Sequence, residues 1–361
     1  MSIKKDKYYI SLANNLAKNS CGYTGPNPSV GAIVVKNDEI ISFGSTSLTG
    51  RPHAEINALK NLPKVVKKNS TIYISLEPCS HHGKTPPCVN EIISSKLKRV
   101  VYSIDDVDLR TSKKSYKILK SKNIEVKRNL LNSSSRLIYK NYFYSKKNNK
   151  PYIYGKLAIS KDSYLKDKKN LYITNEKSLK TAHILRSRVN CILTTSKTVN
   201  DDNPKLNCRI NGLNNFSPQV AILDKNLNIK KKSFLVLNAK KNNTFLFYNK
   251  FNKNKLKYLK SKNVRLIYAP LYNNSLDFNF ILKKLYKYEI SSILVEGGKL
   301  LTFSLLNYGF FNEFYLFVSS QSLKKRGFLK FKNIKSNLSK KFKNIKFNET
   351  FLDKDNLIHY Y

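Results

Sequence analysis

The sequence has no tryptophan, one methionine, five cysteines and only 23 acidic residues among 361. Each scarcity excludes something. Five cysteines, scattered as Cys21, Cys79, Cys88, Cys191 and Cys208, are too few for a disulfide framework in a chain this long. They suit a reducing compartment, so a cytoplasmic protein is expected. No apolar run approaches the ~18 residues of a membrane span, so no membrane partner is expected. The basic start MSIKKDKYYISLANNLAKNS is interrupted by polar residues every few positions. It lacks the apolar stretch of a signal peptide. The shortage of acid leaves a net charge of +44. Charge of that size points toward nucleic acid. The kind of base argues against it: 57 of the 67 basic residues are lysine and 10 are arginine. They are spread over both halves, in company with many Asn and Ile. Lys, Asn and Ile share A/T-rich codons, so compositional drift accounts for the surplus. A solvated basic surface with no specific nucleic-acid partner is the expectation.

What is present is a foldable chain. Hydrophobic residues make up 41% and aromatics 12%, too many for disorder. The length suits about two domains. Tyr9, Leu12, Ala13, Leu16 and Ala17 recur at helical spacing, predicting a helix over about 5–18. Val30–Val35 and Glu39–Phe43 flank the turn Asn37-Asp38 and read as a hairpin. A helix is expected from Pro52-His53 to Leu62, a strand at Thr71–Leu76, a helix at Cys88–Ser95 and a strand at Arg99–Ile104. Ser112–Ser121 reads as a helix and Ile124–Lys127 as a strand. The polar stretch YSKKNNKP, 144–151, reads as a linker. The domains are accordingly placed at 1–147 and 148–361. Alternation resumes with strands at Tyr152–Ile159, Val189–Thr195, Val220–Asp224, Thr244–Tyr248, Val264–Ala269, Ser292–Glu296 and Glu313–Val318. Helical patterns lie near 176–186, 277–288 and 299–308. Both domains read as layered α/β. Residues 225–262 and 322–348 are rich in Lys and Asn and show little pattern.

One constellation carries chemistry. His53-Ala54-Glu55 opens a predicted helix, Pro78-Cys79 follows a predicted strand, and Cys88 opens another helix. One imidazole and two thiolates suit Zn²⁺, and three protein ligands leave the fourth position open for water, as in catalytic sites. Zinc lowers the pKa of that water toward ~7. Glu55, two residues from the histidine, is placed to shuttle the proton to a leaving amine. The order H-x-E, then P-C-x-x-C, marks the zinc base deaminases. Here the second spacing is wider, in PCSHHGKTPPC. His81 and His82 are set aside as ligands because the two thiols complete the set.

The block LEPCSHHGKTPPC, with PNPSVGAIVVK before it and PHAEINAL between, resembles the bifunctional riboflavin-biosynthesis deaminase/reductases. The resemblance covers nearly the whole chain. It implies a cytidine-deaminase-like α/β/α layered domain followed by a dihydrofolate-reductase-like α/β domain. It implies deamination of a diamino-phosphoribosylamino-pyrimidine and NADPH reduction of its ribose, hence one zinc per chain, NADPH, and a small pyrimidine ribotide as partner. By motif, His53, Cys79 and Cys88 hold zinc, Glu55 moves protons, and Asn27 and Lys84 meet the pyrimidine substrate. In the second domain Lys156 and Asp202 are expected at the reacting centre. Asn170, Arg186, Leu206, Arg209 and Glu296 are expected at the substrate, and Ile159, Tyr172, Thr198, Asp202, Gly297 and Gly298 at the cofactor. The two arginines suit a phosphate, which a planar fork grips bidentately. SSILVEGGKLL reads as a strand, a Gly-Gly turn and a helix start that could cradle phosphate. There is no GxGxxG, so a Rossmann domain is not indicated.

The chain departs from the family at several places. Thr46 stands where the family carries a histidine, DDVDLRTSKK replaces a Gly- and Asn-Pro-rich loop, and Ser163 replaces a glycine. Two other readings stand beside the bifunctional enzyme. One is a tRNA or nucleobase deaminase with a basic RNA-binding domain. The other is a deaminase whose second domain only binds ligand, which Ser163 and the stretch SSQSLKKRGF keep open. The sequence leaves a homo-oligomer open.

Overall fold

The computed structural model describes residues 2–170, 172–348 and 352–361. The chain divides into two compact units, Met1–Lys150 and Pro151–Tyr361.

The first unit runs α1 (Ile3–Ser20), β1 (Gly31–Lys36), β2 (Glu39–Ser45), α2 (Ala54–Lys60), α3 (Lys64–Lys67), β3 (Thr71–Ile74), α4 (Cys88–Ser94), β4 (Arg99–Tyr102), α5 (Lys114–Ser121), β5 (Glu125–Arg128) and α6 (Asn132–Asn148). Its sheet has the order β2-β1-β3-β4-β5. β1 pairs antiparallel with β2 and β3, while β3, β4 and β5 are parallel. Alternation along each strand feeds two cores. Ile33, Val35, Tyr73 and Val101 face α1 with Tyr9, Ile10 and Ala13. Val34, Ile72, Ile74, Val100 and Tyr102 meet Ala58, Leu59, Val89, Ile92 and Leu119 on the other side. Helices therefore cover both faces, the layering expected of this half. Gly44 shows how tightly α2 sits: a Cβ there would lie 2.5 Å from the Ala58 nitrogen and 2.6 Å from the Ala54 oxygen. That close approach fixes the start of α2, and so His53 and Glu55, against the sheet.

The stretch 144–151 is not a linker throughout, because α6 continues to Asn148 and the units part after Lys150. The helix is long because its polar residues have partners. Tyr142 Oη donates to Asp106 Oδ1 at 3.1 Å, and Lys146 Nζ lies 3.0 Å from Asp108 Oδ2. Such long-range contacts leave no local pattern.

The second unit runs β6 (Tyr152–Ile159), β7 (Tyr164–Asp167), α7 (Glu176–Ser187), β8 (Cys191–Thr195), α8 (Ser196–Asp202), β9 (Gln219–Leu223), α9 (Phe234–Leu237), α10 (Ala239–Asn242), β10 (Thr244–Tyr248), α11 (Lys253–Ser261) and β11 (Arg265–Tyr268). It continues with β12 (Leu271–Tyr272), β13 (Ser275–Leu276), α12 (Phe278–Lys287), β14 (Ser292–Val295), α13 (Lys299–Asn307), β15 (Glu313–Val318), β16 (Gly327–Lys330), α14 (Ile334–Lys341), β17 (Ile345–Asn348) and β18 (Asn356–Tyr360). The main sheet has the order β11-β10-β9-β8-β14-β6-β15-β18-β17. The pairs from β11 to β15 are parallel, and β18 and β17 close that edge antiparallel. Both faces are buried, so these strands are nearly continuous apolar runs. Phe245, Phe247, Ile293 and Val295 enter one core, while Leu246 and Leu294 enter the other. β7 and β16 form a separate two-stranded ribbon.

Candidate active sites

In the first unit three loops converge. His53 is the N-cap residue of α2, with extended backbone and no side-chain capping bond, so its ring is free to turn elsewhere. Cys79 follows β3 in the loop, and Cys88 is the first residue of α4. His53 Nδ1 lies 3.6 Å from Cys79 Sγ and 3.3 Å from Cys88 Sγ. The Cys88 backbone N–H donates to Cys79 Sγ at 3.2 Å. All three donor atoms lie within 4.8 Å of one another. Tetrahedral bonds of about 2.3 Å to sulfur and 2.05 Å to nitrogen put ligand atoms roughly 3.6 Å apart, so the donor set fits zinc in both spacing and chemistry. The thiols are unequal. The hydrogen bond from Cys88 holds the Cys79 thiol well below its ordinary range, while Cys88 is pushed up.

Glu55, in the first turn of α2, is buried, and burial raises its carboxyl pKa. A carboxyl so raised can both accept and return a proton, as general acid–base work requires. Asn27 donates through Nδ2 to the Gly50 oxygen at 2.8 Å. Lys84 is exposed in the loop between the cysteines. His81 is not turned to the thiols: its Nδ1 sits 2.9 Å from Thr111 Oγ1.

The positions expected to depart from the family pattern have physical roles in the fold. Thr46 is buried, and its Oγ1 accepts from the Val30 N–H at 2.9 Å, which ties β2 to the segment carrying Asn27. The loop after β4 is pinned by Glu77, a residue quoted in the motif without a role. Its carboxylate accepts from the N–H of Asp106 and of Lys113, each at 3.0 Å, and from Ser115 Oγ at 2.8 Å.

In the second unit the expected residues gather where parallel strands end. Ile159 closes β6, Thr198 and Asp202 lie on α8 just beyond β8, and Glu296-Gly297-Gly298 follow β14. β8, β14 and β6 are neighbours, so these residues share the carboxyl edge where open α/β sheets bind ligands. Glu296 is gripped by Arg186 through two bonds of 2.6 and 2.9 Å, with Lys156 Nζ at 4.0 Å. Burial pushes the Glu296 carboxyl up, but these cations more than offset it and hold it at about 2. Burial lowers the Lys156 ammonium. The Asn207 oxygen accepts from Arg186 Nη1 at 3.3 Å and lies 3.0 Å from His183 Nδ1. Arg209 Nη1 donates to Asn207 Oδ1 at 3.0 Å. Leu206 is buried at positive φ, while Arg209 and Tyr172 are exposed. Asn170 Nδ2 donates to Asp167 Oδ2 at 3.1 Å. Gly298 caps α13, and a Cβ there would meet nothing within 4 Å.

Two residues here had no sequence signal. Lys166 on β7 forms an ion pair with Asp202, 36 positions away. His183, one turn before Arg186, bridges to the Asn207–Arg209 segment, and burial lowers its imidazole to about 4, so it is neutral beside the two arginines.

Comparison with known proteins matches both halves. Residues 3–104 match the cytidine and deoxycytidylate deaminase zinc-binding region, and residues 151–324 match the RibD C-terminal domain. The riboflavin biosynthesis protein RibD of Aquifex aeolicus is 37% identical over 316 residues, covering 87% of this chain and 86% of that protein. A diaminohydroxyphosphoribosylamino-pyrimidine deaminase of Buchnera aphidicola is 42% identical over 139 residues, 38% of this chain and 94% of that protein. The crystal structure of a diaminohydroxyphosphoribosylaminopyrimidine deaminase/5-amino-6-(5-phosphoribosylamino)uracil reductase from Thermotoga maritima aligns with a TM-score of 0.81 at 27% identity. It covers 99% of this chain and 98% of that one.

Proposed function

The chain belongs to the family of the riboflavin biosynthesis protein RibD, and from that premise we propose how its own residues carry out the two reactions of the family. The protein is a bifunctional enzyme of riboflavin biosynthesis, a deaminase joined to a reductase. Its first unit hydrolyses 2,5-diamino-6-(5-phosphoribosylamino)pyrimidin-4-one to the aminouracil and ammonia. Its second unit reduces the ribosyl group of that product to a ribityl chain. The observation that carries the deaminase assignment is the His53, Cys79, Cys88 cluster with buried Glu55 beside it.

His53, Cys79 and Cys88 hold the zinc. Zinc there supplies the Lewis acidity that makes water a nucleophile near neutral pH. Glu55 takes the proton from the attacking water and delivers it to the departing amine, so that C–N is exchanged for C–O with no net proton change at the carboxyl. One N–H of Asn27 Nδ2 is taken by the Gly50 oxygen, which leaves Oδ1 and the second N–H for the pyrimidine.

In the second unit NADPH supplies the hydride. Thr198, Ile159, Tyr172, Gly297 and Gly298 orient the cofactor. Lys156, its ammonium pKa lowered by burial and its Nζ held near Glu296, moves the proton that the opening sugar oxygen needs. Asp202 is the carboxylate at the reacting carbon, poised by Lys166. Asn170, Arg186, Leu206 and Arg209 frame the substrate, with Glu296 acting through its grip on Arg186.

None of the five cysteines forms a disulfide, in keeping with a cytoplasmic site of action. Among the described residues no helix is long and apolar enough to cross a membrane. The RNA-deaminase reading gives way, because the second half matches a reductase domain rather than a nucleic-acid module.

A coupled assay with the purified chain tests the assignment. Glu55→Gln should keep zinc by elemental analysis and lose deamination by about 10²–10⁴-fold or more. It should still oxidise NADPH when given the deaminated intermediate. Asp202→Asn should do the reverse. A folded Asp202→Asn protein that has lost both reactions would refute separate sites.

A further inference from the structure

Arg51 stands immediately before the Pro52-His53 step on extended backbone. Its Nη1 lies 3.3 Å from His53 Nε2. Its Nη2 lies 3.7 Å from the point where a Cβ on Gly83 would sit, and His53 and Gly83 lie on different loops. The guanidinium therefore spans the rim of the metal site, from the ligand histidine to the loop that carries Lys84. The neighbouring Gly50 holds Asn27 through its carbonyl, so the same rim carries the pyrimidine contact. The side chain is half-buried, and no carboxylate among the described residues forms an ion pair with it.

What the contact with His53 can be depends on which ring nitrogen carries the proton. His53 turns Nδ1 to both sulfurs, so Nε2 carries the ring proton once metal is bound. A ligating histidine normally gives that proton to an acceptor. A guanidinium offers five N–H groups and accepts nothing. With metal bound, two donors would thus face one another across this contact, and an acceptor within reach of both completes them. A half-buried guanidinium without a carboxylate favours an acceptor that is also an anion. The substrate of the proposed deamination brings one, the phosphate monoester on its ribose.

We propose that Arg51, with the His53 Nε2–H and the adjacent Lys84, receives the substrate's 5′-phosphate during deamination. The inference rests on the deaminase reading of this site. It makes Arg51 a specificity residue: it selects the phosphorylated ribotide over the free riboside and leaves the reacting atoms to Glu55 and the metal. Its planar fork grips two phosphate oxygens at once, which a lysine cannot do.

Steady-state deamination by the full-length, zinc-loaded chain tests this. Arg51→Ala should raise KM for the ribotide about 10- to 100-fold, with the effect in KM rather than kcat, in line with a lost charge-assisted bond. Arg51→Lys should recover part of the loss. The dephosphorylated riboside should show the same KM with wild type and with Arg51→Ala. Inorganic phosphate should compete with the ribotide in the wild type, and more weakly in Arg51→Ala. Zinc content should remain one per chain in both variants, a readout independent of turnover. An unchanged KM for the ribotide, or an equal rise for ribotide and riboside, would overturn the proposal. Loss of zinc from Arg51→Ala would overturn it in favour of a role in holding His53. No ammonia release by the wild type would overturn the deaminase reading itself, and this inference with it.

Discussion

Ser163 shows what a single residue contributes outside the chemistry. It sits in the turn between β6 and β7 at φ 69°, where its N–H donates to the Ser160 oxygen and its own oxygen accepts from Phe331. A side chain in that left-handed region costs about 1–2 kcal/mol, and glycine avoids the cost at the expense of some unfolded-state entropy. Ser163→Gly should therefore stabilise the second unit by about 0.5–1 kcal/mol, seen as a higher denaturant midpoint. A lower midpoint would mean that the serine hydroxyl contributes more than the turn strain takes away. Both backbone bonds of the turn are made with serine in place, so Ser163 does not by itself argue for an inactive reductase. Thr46 teaches the complementary lesson. Where the family resemblance leads one to expect a histidine, the Thr46 hydroxyl is bonded wholly within the scaffold.

At the scale of elements, Asp6 ties four of them together. On α1, it is fully buried and receives Arg99 of β4 at 2.6 and 2.9 Å, Lys127 of β5 at 3.0 Å and the Tyr73 hydroxyl of β3 at 2.9 Å. Burial raises its carboxyl, but these bonds more than offset that and hold it at about 2, against an ordinary 3.8. The folded form thus binds this proton less readily than the unfolded form. The resulting stability is complete above about pH 4 and is lost as pH falls toward 2. Asp6→Asn should leave two cations short of a partner and cost about 3–5 kcal/mol at neutral pH. Its stability should also depend less on pH between about 4 and 2, measured by denaturant titration across that window. An acid limb as steep as that of the wild type would place the titration elsewhere. The helix start at His53, set by Gly44 against α2, and the loop pinned by Glu77 belong to the same scale. Gly44 acts through close backbone approach, and Glu77 through a carboxylate that accepts two backbone N–H groups and a hydroxyl.

For the whole molecule the charge is the open question that experiment can close. The surplus of +44 is nearly all lysine. Some of these lysines pair with carboxylates, as Lys5 does with Asp38 and Lys177 with Asp353. If the surplus is drift, RNA binding should be weak, without sequence or structure preference, and should fall steeply with salt as counterion release requires. Tight, selective tRNA binding near physiological salt, in a filter or fluorescence titration, would contradict that view. The free energy of a diffuse lysine surface is spread over many solvated groups, so it specifies no partner.

The clustered donors His53, Cys79 and Cys88, the acid Glu55 and most strands were legible in the sequence because each depends on residue type at short range. His53-Ala54-Glu55 and the two cysteines carry their chemistry in order and spacing. β6, β10 and β15 announce themselves as apolar runs with the bounds that the structure shows. The true length of α6, the strand pairs β7–β16 and β17–β18, and the helices in the Lys- and Asn-rich stretches were not legible. Their stability comes from partners far along the chain, such as Asp106 for Tyr142 and Asp167 for Gly327. The same holds at the sites. Only the fold brings Lys166 to Asp202, Arg186 to Glu296, Glu77 to the loop after β4 and Arg51 to the far nitrogen of His53. The sequence by itself determined which chemistry the protein can do, because that follows from ligand and acid types. Tertiary structure alone decided which charges meet, because charge pairing depends on distance in space, and that distance is set by packing.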